Sequence, residues 1–117
     1  MNLQILTIAD RGIANQERLH ILVLADTDLS YYATLLSARL AQDSVGAGLR
    51  SAYWFAPQQV KAGDHVVLYS GPGQDKFETR PDGRKNHFYH WGFKNTIWAN
   101  PSSCAVLLEV GDWQTSP

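Results

Sequence analysis

Residues 60–73 read VKAGDHVVLYSGPG, and residues 87–92 read HFYHWG. Both stretches contain short runs of aliphatic, β-branched and aromatic residues that end at glycine or proline. Such side chains pack well on the pleated surface of a half-buried strand, and glycine and proline favour the turns that follow. The two stretches therefore predict strands over His65–Tyr69 and His87–Trp91 in an all-β domain.

Four further runs of the same character lie on either side of these two. They are Leu3–Ile8, Leu19–Ala25, Arg50–Phe55 and Cys104–Val110. Several of them are apolar at successive positions, so both faces of the strands need cover, as they have in a domain of two packed sheets. Between the runs, Pro81-Asp82-Gly83 has the residue order of a tight turn. That turn predicts a hairpin between Phe77–Arg80 and Asn86–Tyr89.

The segment from Asp28 to Gln42 allows two interpretations. Five of its apolar residues recur at helical spacing: Leu29, Tyr32, Ala33, Leu36 and Leu40. Asp28 would cap a helix that begins here. On propensity alone the segment suits a helix and a strand about equally, so residues 29–42 stay open at this point.

Composition limits the class of protein. At 117 residues the chain is the length of one domain, residues 1–117. Its 44% hydrophobic content is too high for a disordered chain, and its net charge of −1 argues against a dedicated binder of nucleic acid or anionic membranes. No apolar run approaches the ~20 residues of a membrane span, and Met1–Leu6 lacks the basic start of a secretory signal. We therefore expect a soluble, cytoplasmic protein.

The order of these elements resembles the lamin-tail domain family, including its small stand-alone bacterial members. The matching residues are Trp54-Phe55-Ala56-Pro57, Gly63-Asp64, Val66–Gly71, Trp91, Trp98 and Cys104–Glu109. Residues 17–36 match the opening strands of the family more loosely, and the resemblance covers about residues 17–113.

The resemblance implies an immunoglobulin-like β-sandwich, which we expect to have about seven to nine strands. It makes Tyr31–Ala38 a strand instead of a helix. Lamin tails bind partner proteins and, weakly, DNA. The resemblance implies no catalytic residue, so we expect a non-catalytic binding module from a bacterium, without cofactor or metal.

The most polar long segment, residues 74–95, is the candidate binding surface. Its basic side chains and histidines are Lys76, Arg80, Arg84, Lys85, His87, His90 and Lys94. Exposed segments on a rigid scaffold often carry binding, and we expect this one to recognise a protein partner or a second copy, with the chain a monomer or a homodimer. Basic residues interleaved with aromatic ones also suit weak nucleic-acid binding.

His87 and His90 raise an enzymatic alternative. Three residues apart in a strand, their side chains lie on opposite faces, so a shared metal would need a bulge or further ligands. The alternative is a small metal-dependent hydrolase that uses both histidines with carboxylates such as Asp64 or Asp75. The single cysteine, Cys104, has no visible activating partner and is expected to be a buried, inert thiol.

Overall fold

The computed structural model describes residues 1–41, 44–45 and 51–117, which form eleven strands and a 3-10 turn at Leu29–Tyr31. The strands are β1 Leu3–Ala9, β2 Arg18–Val23, β3 Thr27–Asp28, β4 Tyr32–Ala41, β5 Ser44–Val45, β6 Ser51–Trp54, β7 Gln59–Val60, β8 His65–Tyr69, β9 Lys76–Thr79, β10 Lys85–His90 and β11 Ser103–Glu109. The all-β class is confirmed, and eight of these strands are longer than two residues. In the described part of the chain no helix is long and apolar enough to cross a membrane.

The larger sheet has five strands in the order β1-β2-β8-β10-β9. Strands β8 and β10 are parallel, and the other neighbours are antiparallel. The register of β1 against β2 shifts between Ile5 and Thr7, which marks a bulge or irregularity in that edge strand. The opposite edge of the sheet is β9, which pairs only with β10 among the described strands.

The second sheet is built around β4. Along Tyr32–Ala38 this strand pairs with β11, and along Ala33–Leu36 its other edge pairs with β6. The two-residue strand β5 pairs with the far end of β4. A helix over residues 29–42 is therefore wrong, apart from the short 3-10 turn, and Gln42 itself lies outside the described residues. Pairing on both edges of β4 outweighs the modest helix propensity of its residues.

Strands β3 and β7 form a third, two-stranded sheet. One apolar core lies between the two larger sheets, an arrangement consistent with a β-sandwich. Its buried members are Leu3, Leu19, Ile21, Val23, Leu29, Tyr32, Leu36, Phe55, Val60, Val66, Leu68 and Trp98. Trp98 is completely buried, whereas Trp54 and Trp113 are exposed and meet edge to face with ring centroids 5.3 Å apart. Cys104 is a buried free thiol, as expected from its strand.

The hairpin expected at Pro81-Asp82-Gly83 is confirmed, because β9 and β10 are antiparallel neighbours joined there. The amide of Arg80 donates to the carbonyl of Arg84 at 2.7 Å, and the amide of Gly83 donates to the carbonyl of Arg80 at 2.9 Å. Gly83 has φ +85°, a left-handed conformation that favours glycine. The hairpin thus has a fixed geometry and presents β9 at the margin of the sheet.

Candidate functional site

The β9–β10 hairpin sorts the side chains of the candidate surface onto two faces. Tyr89 faces the second sheet, where its ring packs edge to face on Phe55 at 5.2 Å between centroids. Side chains alternate along a strand, so residues 85 and 87 share this inner face, and residues 86, 88 and 90 point outward. His87 and His90 consequently lie on opposite faces, as their spacing predicts.

His87 is buried, with 3% of its surface exposed. Its Nε2 lies 3.1 Å from Oδ2 of Asp64, which is buried as well. The expectation that His87 belongs to an exposed binding surface is therefore wrong. Its place on the inner face of β10, against the loop that precedes β8, makes it part of the folded interior.

Asp64 is held in its ionised form by three hydrogen bonds to its carboxylate. Burial by itself raises the pKa of this carboxyl group, but the backbone amides of Lys85 and Lys61 and the ring of His87 outweigh that effect and lower it. The amide bonds are 2.9 Å from Lys85 to Oδ1 and 3.1 Å from Lys61 to Oδ2. Because an ionised carboxylate only accepts, Nε2 of His87 must donate to it. The pair therefore fastens β10 to the turn before β8.

His90 occupies the outer face with a second aspartate. Its backbone amide donates to Oδ1 of Asp75 at 3.0 Å, and its ring Nδ1 lies 3.2 Å from the same oxygen. The ring stacks on Tyr69 with centroids 5.2 Å apart and an interplanar angle of 9°. A β-carbon at Gly73 would lie 2.3 Å from the ring, so only glycine lets the loop approach so closely. These contacts fix the orientation of the imidazole.

The two arginines of the candidate surface lie at the turn of the hairpin. Nη2 of Arg80 donates to the carbonyl of Gly63 at 2.6 Å, and Nε lies 3.5 Å from Oδ1 of Asp82. Nη1 of Arg84 lies 3.7 Å from Oδ2 of Asp82, with more than half of the Arg84 side chain exposed. Arg80 therefore has a structural role, whereas Arg84 is accessible to a partner.

The lysines of the hairpin sit over aromatic rings. Nζ of Lys85 lies 4.8 Å from the centroid of Phe77 on the inner side, and Nζ of Lys76 lies 5.9 Å from the centroid of Phe88 on the outer side. A cation over a ring face is attracted by the ring quadrupole. Phe77 is 60% exposed, an unusual position for a large apolar side chain on an edge strand. Lys94 is exposed but lies beyond β10, apart from this group.

A recess of about 340 Å³ opens on the outer face of the sheet. It is lined by Asn15, Tyr69, Gly71, Pro72, Lys76, Phe88 and His90. Two of these, Lys76 and His90, belong to the candidate surface expected from the sequence. The sequence pattern of residues 74–95 identifies the segment that contains Lys76, Phe88 and His90. Asn15 and Tyr69 come from other parts of the chain, so no local sequence pattern indicates that they line the same recess.

Glu17 is the buried polar residue that sequence reasoning misses. The side chain is fully buried, and its Oε2 accepts from the hydroxyl of Ser70 at 2.6 Å and from the amide of Ile97 at 2.7 Å. Its Oε1 accepts from the amides of Gly12 at 3.0 Å and Trp98 at 3.2 Å. One carboxylate thus joins three segments that are distant in the sequence.

The pKa of Glu17 follows from these contacts. Burial raises it, but the hydroxyl of Ser70 and the three amides together lower it below its ordinary value of 4.5. The carboxylate is therefore ionised and fully hydrogen-bonded inside the protein, which is the condition under which a buried charge is tolerated.

The structure separates the side chains that the enzymatic alternative requires. The candidate groups are His87, His90, Asp64 and Asp75. The structure pairs His87 with Asp64 and His90 with Asp75 on opposite faces of β10. Within residues 1–41, 44–45 and 51–117, no group of three His, Cys, Asp or Glu side chains is placed to hold a metal ion. The four groups therefore form two separate pairs and offer no common site.

A scan against protein-family models gives no match for this chain, and a search of curated proteins gives no significant match.

Proposed function

We propose that this protein is a non-catalytic recognition module with an immunoglobulin-like, lamin-tail-type fold, and that it binds a protein through the β9–β10 hairpin. The observation that carries the proposal is the outer edge of β9, with which no strand in the described part of the chain pairs. All four residues of this strand are exposed, including the large apolar side chain of Phe77. An unpaired strand edge presents backbone N–H and C=O groups that bind an added strand, a common mode of peptide recognition.

The charges around the edge suit a partner with acidic groups. Lys85 lies over Phe77, Lys76 lies over Phe88 on the outer face, and the exposed guanidinium of Arg84 lies at the turn. Aromatic and arginine side chains such as Phe77 and Arg84 are enriched at protein interfaces. The division of His87 and His90 between two faces supports a binding role over a hydrolytic one, because it leaves the two imidazoles without a shared substrate position.

Site-specific photocrosslinking tests the proposal. A photoreactive phenylalanine analogue is placed at position 77, and in a control protein at Trp113, which is equally exposed. Both proteins are irradiated in lysate of the source cells, with and without nuclease. We expect protein adducts from position 77 that survive nuclease and are absent from position 113. Equal adduct patterns at the two positions would contradict the proposal.

Binding of single-stranded nucleic acid on the outer face is a second candidate function. Tyr69, Phe88 and the His90 ring form an aromatic row there, and the guanidinium of Arg18 lies 5.9 Å from the Tyr69 ring centroid. Base stacking on aromatic side chains beside cations is the usual mode of such binding. One carboxylate already neutralises part of this charge, because Asp10 pairs with Arg18 at 2.7 Å, and Asp75 occupies one side of the His90 ring.

Fluorescence anisotropy with a labelled oligonucleotide tests this second candidate. Binding through phosphates must weaken as salt rises, and Phe88→Ala should weaken it by removing a stacking surface. Binding that ignores salt, or that Phe88→Ala leaves unchanged, would exclude the outer face as a nucleic-acid interface.

A further inference from the structure

Strand β9 reads Lys-Phe-Glu-Thr over Lys76–Thr79 and ends the larger sheet. No described strand pairs with its outer edge. Its side chains alternate between faces, so Lys76 and Glu78 point outward, where Oε1 of Glu78 accepts from the side-chain amide of Asn86 at 3.2 Å. Phe77 points to the inner side, as its contact with Lys85 shows. A strand that carries one cation, one anion and an exposed ring is complementary to its own sequence.

We propose that a second copy of this chain is the partner of the β9 edge. The two β9 strands pair antiparallel about a two-fold axis, with Phe77 of one copy opposite Phe77 of the other. The inference rests on the proposed function, since it names the partner of the same edge. It joins two five-stranded sheets into one continuous sheet.

Symmetry leaves few registers for this pairing. A two-fold axis perpendicular to two antiparallel strands passes between two identical residues, so the residue on the axis defines the register. With Phe77 on the axis, Lys76 of each copy lies opposite Glu78 of the other. The two ion pairs lie on one face of the sheet, and the two phenylalanine rings meet on the other face.

The neighbouring registers are unfavourable. With Lys76 on the axis two lysines face each other, and with Glu78 on the axis two glutamates do, which destabilises a cross-strand pair. Centring on Thr79 brings Pro81, which has no backbone donor, into the ladder. Charged side chains on an edge normally discourage strand addition, but in this strand they select one register.

Open space lies beside the edge, where the partner's ring could be placed. A recess of about 210 Å³ beside β9 is lined by Phe77 and Tyr89 of the inner face and also by Lys76 and Phe88 of the outer face. Phe77 is 60% exposed in the single chain, and pairing removes apolar surface of both rings from water. Aromatic pairs across neighbouring strands are among the favourable cross-strand contacts.

A charge-swap experiment tests the register. Sedimentation velocity of wild-type protein from about 1 to about 300 μM should show reversible dimerisation, and Lys76→Glu or Glu78→Lys should each weaken it about tenfold, because each turns two attractive pairs into two repulsive ones. An equimolar mixture of the two variants should form a mixed dimer, and the double variant K76E/E78K should dimerise like wild type. Glu109→Lys, an exposed acid on β11, is the matched control and should leave dimerisation unchanged.

The outcomes separate this inference from the proposed function. Wild-type protein that stays monomeric throughout, or dimers that survive both single variants, would overturn the inference. If position 77 still crosslinks to a different protein, the proposed function stands without it. Circular dichroism of each variant checks that the exposed substitutions leave the fold intact.

Discussion

His87 and Asp64 form a buried hydrogen bond of 3.1 Å between Nε2 and Oδ2, on the inner side of the hairpin whose edge is proposed to bind. The bond holds β10 to the turn before β8. The edge strand β9 therefore pairs with a strand, β10, whose position is fixed. Removing one member of a buried hydrogen-bonded pair lowers stability, because the other member is left buried without a hydrogen-bond partner. The stability of the hairpin should therefore depend on this pair.

Replacing the buried carboxylate tests that dependence. Asp64→Asn removes the charge that accepts from His87 and from the amides of Lys61 and Lys85. We expect the free energy of unfolding to fall by about 3 kcal/mol, measured by urea denaturation. Asp82→Asn is the matched control. Asp82 is exposed at the turn, and we expect a much smaller loss there. Equal losses in both variants would show that Asp64 has no special role.

Removal of the two histidine side chains should destabilise the protein to different degrees. His87→Ala deletes an interior side chain and should cost about 2–3 kcal/mol of unfolding free energy. His90→Ala removes a partly exposed ring from the outer face and should cost about 1 kcal/mol or less. Thermal melts and urea curves of the two variants measure the difference. A larger loss from His90→Ala than from His87→Ala would contradict the assignment of faces.

Acid should unfold the protein through Glu17 and Asp64. Hydrogen bonds hold the pKa values of both groups below their ordinary values of 4.5 and 3.8. The unfolded chain takes up these protons first as the pH falls, so the stabilisation is complete above the ordinary values and is lost as the pH drops through the lowered folded values.

Urea curves from pH 7 down to about 3 measure this loss. Glu17→Gln should lower stability at neutral pH by about 3 kcal/mol and should flatten the acid part of the profile, because the glutamine does not titrate. A variant with the same slope as wild type would show that Glu17 does not contribute to the acid sensitivity.

Tyr89 should ionise only in strong alkali. Burial, together with Tyr53, Asp75 and Asp28, raises its pKa to about 12. Its contribution to stability is present below the ordinary value of 10.0 and is lost as the pH rises from there through the folded value. Ultraviolet absorbance recorded immediately after a pH jump counts ionised tyrosines. Tyr89→Phe should remove the last step of that titration, and an unchanged curve would contradict the partly buried position of Tyr89.

Much of the sheet structure is predictable because its signals are local. The β-branched and aromatic runs that form β8 and β10 indicate strands by themselves, and the spacing of His87 and His90 fixes their opposite faces once the strand is accepted. Pro81-Asp82-Gly83 carries the residues its turn requires. The segment from Tyr32 to Ala41 has no decisive local signal, because its strand state comes from partners on both edges.

The remaining features depend on contacts distant in the sequence. Glu17 accepts hydrogen bonds from Ser70, Ile97 and Trp98. The residues next to Glu17 in the sequence do not indicate these three partners. His87 looks like any surface histidine until Asp64, in a separate loop, is placed beside it. The free edge of β9 likewise follows from the order of strands in the sheet, which no single segment specifies.

The irregularity between Ile5 and Thr7 in β1 limits how far the sheet can grow. A further strand needs a regular ladder to add to an edge, and β1 interrupts its own ladder at that point. The proposed pairing through β9 would use the same edge of both copies and would leave the interrupted β1 edges at the two ends of the joined sheet. We therefore expect assembly through this sheet to stop at a closed pair and not to continue into a filament.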